Sequence, residues 1–175
     1  MTIALSRDPI TLNRFVAADT VSQRAVAPLF PMLYALAPDM SVVPDLATGP
    51  PALSDGGKTL TVSIRRGAKW SDGKQITADD VVSTVNIERD KNLATNVIFD
   101  WDKLERVEKG DDYTVHFFLT EVYAPFLANS LVTFVAPAHV YGVIDPAHMK
   151  DDPIGNQPPV SAGPLKFDRR NAGHE

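Results

Sequence analysis

The run Lys69-Trp70-Ser71-Asp72-Gly73-Lys74-Gln75-Ile76-Thr77-Ala78-Asp79-Asp80-Val81-Val82 limits the fold of this 175-residue chain more than any other stretch. It reads as a strand end, a tight turn and a helix start in immediate succession. Ser71-Asp72-Gly73 suits the turn, because Asp bonds nearby backbone amides and Gly tolerates positive φ. Thr77 is an N-cap residue, and Asp80 three positions later makes an acidic variant of the capping box. Asp79 and Asp80 also place negative charge at the positive end of the helix dipole. The spacing predicts a helix over 78–88 with Val81, Val82 and Val85 inward. Adjacent helical residues point about 100° apart, so this acidic pair does not converge on a substrate as catalytic carboxylates do.

Strands are expected on either side of that helix. Leu60, Val62 and Ile64 alternate with Thr59, Thr61, Ser63 and Arg65 in a half-buried pattern, and Asp55-Gly56-Gly57 ahead of them signals a hairpin turn. Tyr113, Val115, Phe117 and Leu119 alternate in the same way. Leu104 and Val107 suggest a short partner strand, joined to them through the polar turn 109–112. Residues 3–6 read as a short strand, and 20–36 as a helix broken by Pro28 and Pro31. The proline-rich stretch 38–51 reads as an extended connector, and 145–164 as irregular chain. Val122 to Ile144 lacks Asp, Glu, Lys and Arg over a length that spans a bilayer. Pro125, Pro137 and several polar side chains argue instead for a buried helix followed by a short strand. The order of elements is α+β.

Composition excludes several functions. A net charge of −5, with Lys and Arg scattered among acids, gives no basic face for nucleic acid. The sequence contains no cysteine, hence no disulfide framework and no thiolate metal site. There is no Gly-x-Ser-x-Gly elbow and no phosphate-cradling Gly-x-x-x-x-Gly-Lys-Ser/Thr loop. Asp55 and Asp72 lie in turns without the ligand series of a calcium loop. His139, Asp145 and His148 are the one candidate metal cluster, and a metal-dependent hydrolase built on them is the enzymatic alternative. Their spacing matches no tight helical pair, so locally bonded histidines are the expectation. Trp70, Phe99 and Trp101 are read first as packing aromatics and second as a stacking surface.

The whole string 69–82 resembles the signature of the solute-binding proteins that serve oligopeptide, dipeptide and nickel ABC importers, family 5. Val43-Pro44-Asp45-Leu46-Ala47, Ser54 to Gly67, Asp111 to Val115, Pro125-Phe126-Leu127, Asp152 to Asn156 and Ser161 to Phe167 are similar to that family in the same order. The likeness implies a type II periplasmic-binding-protein-like α+β fold, with a small mixed sheet and flanking helices. It implies three segments: 1–36 as a first-domain piece, 37–158 as an inserted second domain, and 159–175 as the return into the first.

The implied role is capture of a peptide or related small solute in the periplasm or outside the cell, for delivery to a membrane permease. Many relatives are lipid-anchored. Neither covalent chemistry nor a cofactor is implied. Ligand-facing residues carried over are Ala17, Ala18, Asp19 and Thr20 in a first-domain loop, with Phe99 and Trp101 across the cleft; Asp19 reads equally well as a helix cap. The family's Leu-Asp-Pro before this loop reads Leu12-Asn13-Arg14 here, and its Gly-Thr-Gly-Pro appears as Val160-Ser161-Ala162-Gly163-Pro164. Met1 to Leu5 lacks the pattern of an export signal. The expectation is therefore a piece of a longer protein, with a third domain beyond residue 175 and weak or no ligand binding by this segment alone. A structural or interaction domain without its own ligand site is the remaining alternative.

Overall fold

Period-two alternation builds the larger of two sheets in the computed structural model, which describes residues 6–97, 100–155 and 157–169. In chain order the elements are α1 (Thr20–Val26), β1 (Tyr34–Leu36), β2 (Val42–Pro44), β3 (Ala52–Ser54), β4 (Thr59–Ser63), α2 (Ala78–Arg89), β5 (Leu104–Asp111), β6 (Thr114–Leu119), α3 (Phe126–Asn129) and α4 (Ala138–Tyr141). The sheet runs β3-β4-β6-β5, and every described ladder in it is antiparallel. Its register sets Val62 against Val115 and Leu60 against Phe117. These four are buried with Leu104, Val107 and Leu119, and α2 packs on the β5–β6 side. On the other face Thr61 Oγ1 meets His116 Nδ1 at 2.9 Å. The expected α+β class is present, and its sheets are antiparallel throughout the described residues.

Helix α2 starts where the capping signal puts it. The Asp80 carboxylate is buried, and it accepts from Thr77 N at 2.9 Å and Trp70 Nε1 at 3.2 Å through one oxygen. Its other oxygen accepts from Ala138 N at 2.8 Å. One side chain thus joins the turn before α2, the start of α2 and the start of α4. Asp79 points outward to Lys109 at 2.7 Å, so the neighbouring carboxylates diverge as helical geometry requires. Val81 and Val85 are fully buried and Val82 half-buried.

Three stretches differ from the sequence expectation. Within 38–51, Val42–Pro44 pairs with β1 as a second small sheet rather than running as a connector. Pro44 is tolerated because it lies in an edge strand of a two-stranded ladder. Between 122 and 144 the single turns α3 and α4 replace a longer helix; Pro125 and Pro137 stand immediately before them. The chain after α3 turns through 130–132 and touches the N-terminal half through a Met32–Phe134 bridge. The expected strand at 3–6 lies outside the described residues except for Ser6, which is not in a strand.

The far segment closes onto the near one. Ala162 N and Gly163 N both donate to Leu29 O, at 3.1 and 3.0 Å, and Leu165 N donates to Pro28 O at 3.0 Å. A Cβ on Gly163 would lie 2.3 Å from Pro28 O, so only glycine allows this approach. Asn13 Nδ2 donates to Met149 O at 2.8 Å in the interior. Ser71 N donates to Ser161 O at 2.7 Å, Ser161 N donates to Ser71 Oγ at 3.1 Å, and Asp72 Oδ2 meets His139 Nε2 at 2.7 Å.

Two outcomes follow from this frame. Asp80→Ala, which removes three bonds to a buried carboxylate, lowers stability by about 3 kcal/mol, whereas Asp79→Ala changes it by less than about 0.5 kcal/mol; urea unfolding at neutral pH compares them. Partial burial opposes ionisation of Asp72, but the Lys74 amide and the His139 ring outweigh it and hold the carboxyl below its ordinary 3.8. Such a group stabilises the fold above that value, and its contribution is lost as pH falls through the lowered folded value. Asp72→Asn therefore lowers the Tm at pH 6, and the difference from wild type narrows as pH falls below 3.8 in a thermal-melt series.

Candidate functional site

The site is built from a second buried carboxylate on α2. Two turns beyond Asp80, the Glu88 side chain has 0% exposure. Its Oε1 accepts from Arg14 Nη2 at 2.6 Å and Thr133 Oγ1 at 3.1 Å, and its Oε2 accepts from Trp101 Nε1 at 2.8 Å. Arg14 Nη2 also donates to Thr133 Oγ1 at 3.3 Å. The Arg14 guanidinium lies 4.5 Å from the centre of the Phe15 ring, a cation–π contact. Of two paired charges with 3% and 0% side-chain exposure, neither tolerates loss of the other.

Beside this network opens a cleft of about 560 Å³, a size suited to a small ligand. One wall is the α1 segment, with Ala17, Thr20, Gln23 and Arg24. The lining also includes Val97, Asp100 and Trp101, then Asn129 to Phe134 without Leu131. Arg14 and Glu88 line it as well. Helix α1 owes its placement to Asp19, whose Oδ1 accepts from Val21 N and Ser22 N at 3.1 Å each and pairs with Arg7 at 2.8 Å. The hydroxyl and amide of Ser22, with Arg7 and the Val21 amide, hold the Asp19 carboxyl below its ordinary value against a small desolvation cost.

The structure brings together Ala17, Thr20 and Trp101 among the residues the sequence singled out. Ala18 is exposed and does not line the cleft, and Asp19 is engaged as the cap. Phe99 lies outside the described residues. Trp101 is only 6% exposed and packs edge-to-face on Phe126 at 5.9 Å, so little of its ring is open to the cleft. Trp70 is core. Among the described residues no three His, Asp or Glu converge as metal ligands. His139 turns to Asp72, and His148 Nδ1 faces Asp145 within one turn at 3.5 Å. Sequence reasoning missed Gln23, Arg24, Asp100, Asn129 and Thr133. The i, i+3, i+4 spacing of Thr20, Gln23 and Arg24 was the available sign of one wall.

Glu88→Ala leaves Arg14 buried against no carboxylate and costs about 3–5 kcal/mol. Replacing both partners by apolar groups (Arg14→Met with Glu88→Leu) recovers most of that loss in urea unfolding. A double variant no more stable than the single would contradict this account of the pair.

Comparison with known proteins agrees with the fold. The profile of the bacterial extracellular solute-binding proteins, family 5 Middle, matches residues 41–175. The oligopeptide-binding protein AppA of Bacillus subtilis is 31% identical over 161 residues, covering 91% of this chain and 30% of AppA. Its structure in complex with a nonapeptide superposes with a TM-score of 0.88 at 30% identity, over 95% of this chain and 33% of that one. Protein XP55 of Streptomyces lividans is 32% identical over 165 residues, 92% of this chain and 29% of XP55. The ABC transporter substrate-binding protein CtaP of Listeria monocytogenes superposes with a TM-score of 0.81 at 31% identity, over 97% of this chain and 34% of that one. The chain thus spans about a third of the length of the relatives it matches. It belongs to the family 5 bacterial extracellular solute-binding proteins.

Proposed function

We propose that this chain is part of a solute-binding component of an ABC importer, and that the cleft between α1 and the Trp101 wall faces the solute. The carrying observation is the cleft itself. It joins Ala17 and Thr20 to Trp101, residues far apart in sequence, around a volume suited to a small molecule. The nonapeptide held by AppA supports a peptide or peptide-like solute. In this reading the intact protein works in the periplasm or outside the cell, with a lipid anchor where relatives carry one. It closes over its solute by a hinge motion and delivers it to a membrane permease. Among the described residues no helix is long and apolar enough to cross a membrane. The division into 1–36, 37–158 and 159–175 belongs to the same reading. It is supported by the bonds from Ala162, Gly163 and Leu165 to residues 28–29, which set the two outer segments side by side.

A third of a relative's length supplies a third of its structure, so affinity in the millimolar range is expected of this chain alone, about −4 kcal/mol. Titration of the isotopically labelled chain with a nonapeptide, followed by amide and indole NMR shifts, is the test. Shifts gathered at Ala17, Thr20, Trp101 and 129–133 are the expected result. Shifts confined to other surfaces, or tight micromolar binding elsewhere on the chain, would overturn the assignment.

A further inference from the structure

Beyond the end of α2, residues 93–97 belong to no helix and no strand. Their bonds are mostly local: Asn92 N donates to Asp90 Oδ1 at 2.8 Å, Leu93 N to Asp90 O at 3.1 Å and Thr95 N to Leu93 O at 2.9 Å. Leu93 is buried, whereas Ala94 and Asn96 are exposed. Among the described residues, one hydrogen bond joins 90–97 to a distant part of the chain. Thr95 Oγ1 donates to Phe15 O at 2.8 Å, across 80 positions. The same oxygen accepts from Val97 N at 3.0 Å. A threonine hydroxyl has one donor and two acceptor sites, and both kinds are used here.

The partner side of that bond is firmly held. Phe15 N donates to Asn13 Oδ1 at 3.1 Å, Asn13 Nδ2 donates to Met149 O at 2.8 Å, and the Phe15 ring packs edge-on against Tyr141 at 5.5 Å. Ala17 follows Phe15 by two residues and Val97 follows Thr95 by two, and both line the cleft while Thr95 does not. Further along, Asp100 O is held by Ser130 Oγ and Trp101 by Glu88, so only the Val97 end of that stretch relies on Thr95. A second cavity, of about 440 Å³, is lined by Val16 from one side of the joint and by Leu93, Ala94 and Asn96 from the other. Open space beside the joint leaves little packing to replace the bond. From this geometry we infer that Thr95 is a positioning residue for solute binding: its hydroxyl sets the spacing between the Ala17 and Val97 parts of the cleft. The inference rests on the solute-binding reading above and adds a residue that acts on the solute through others. A lining segment that must be ordered on binding costs affinity, and one already tied in place does not.

Thr95→Val keeps the shape of the side chain and removes both bonds, whereas Thr95→Ser keeps both. The nonapeptide is titrated into the full 175-residue chain and into each variant, with NMR shifts read at Ala17, Thr20 and the Trp101 indole. Amide hydrogen exchange at Val97 is measured on the free proteins, and thermal melts establish that each variant is folded at the titration temperature. In Thr95→Val, affinity falls and Val97 exchange rises, each by about five-fold, and Thr95→Ser restores both. A structural role alone moves the melt and leaves affinity at the wild-type value; that result overturns the inference and leaves the solute-binding reading standing. Unchanged Val97 exchange in Thr95→Val, or a serine variant as weak as the valine one, overturns it too. A wild-type chain that shows no shift at the cleft removes the solute-binding reading and this role together.

Discussion

Two carboxylates buried on one helix hold the described structure together. Asp80 and Glu88 are eight positions apart on α2, about 12 Å along its axis, and each gathers groups from segments distant in sequence. Asp80 takes the Trp70 indole and the Ala138 amide; Glu88 takes Arg14, Trp101 and Thr133. Helix α2 is therefore a strut with a polar clamp at each end. The sheet supplies most of the apolar burial beneath it, through Val62, Val115 and Phe117, each buried to 0% exposure. That burial is non-directional, whereas the clamps decide which segment lies where.

The lower clamp is also the link between fold and cleft. A buried ion pair is poor evidence for stability, since its desolvation cost offsets its Coulombic gain. What Arg14 and Glu88 provide is position: two walls of the cleft meet at one carboxylate, and the Trp101 ring is held by its N–H at one side and by Phe126 at the other. Arg14 thus stands at the junction on which the geometry of the cleft depends.

Legibility in the sequence followed the range of each interaction. The start of α2 was readable because Thr77 and Asp80 are three residues apart and bond each other; the bonds from Trp70 and Ala138 to the same carboxylate left no local trace. The strands around Leu60 and Phe117 were readable from alternation. The β1–β2 ladder was hidden by prolines at 38, 44, 50 and 51, and its tip places Met40 at a φ of 64°, a conformation usually left to glycine or asparagine. At the site, family likeness led to Ala17, Thr20 and Trp101, while Ala18 points to solvent and Asp19 serves α1. Arg24 and Asp100 carry no motif, and only the fold brings them to one cleft.

The closure of residues 161–165 onto Pro28 and Leu29, and of Met149 onto Asn13, has a consequence in time. A ribosome adds about 5–20 residues per second. Asn13 and Met149 are separated by 136 positions, so the N-terminal segment waits roughly 7–27 s for its partner to be made. Through that interval Leu12, Phe15, Phe30 and Leu33, all interior in the finished fold, have no complete surface to pack against. A chain arranged in this way keeps its N-terminal segment unfinished until Met149 has been made.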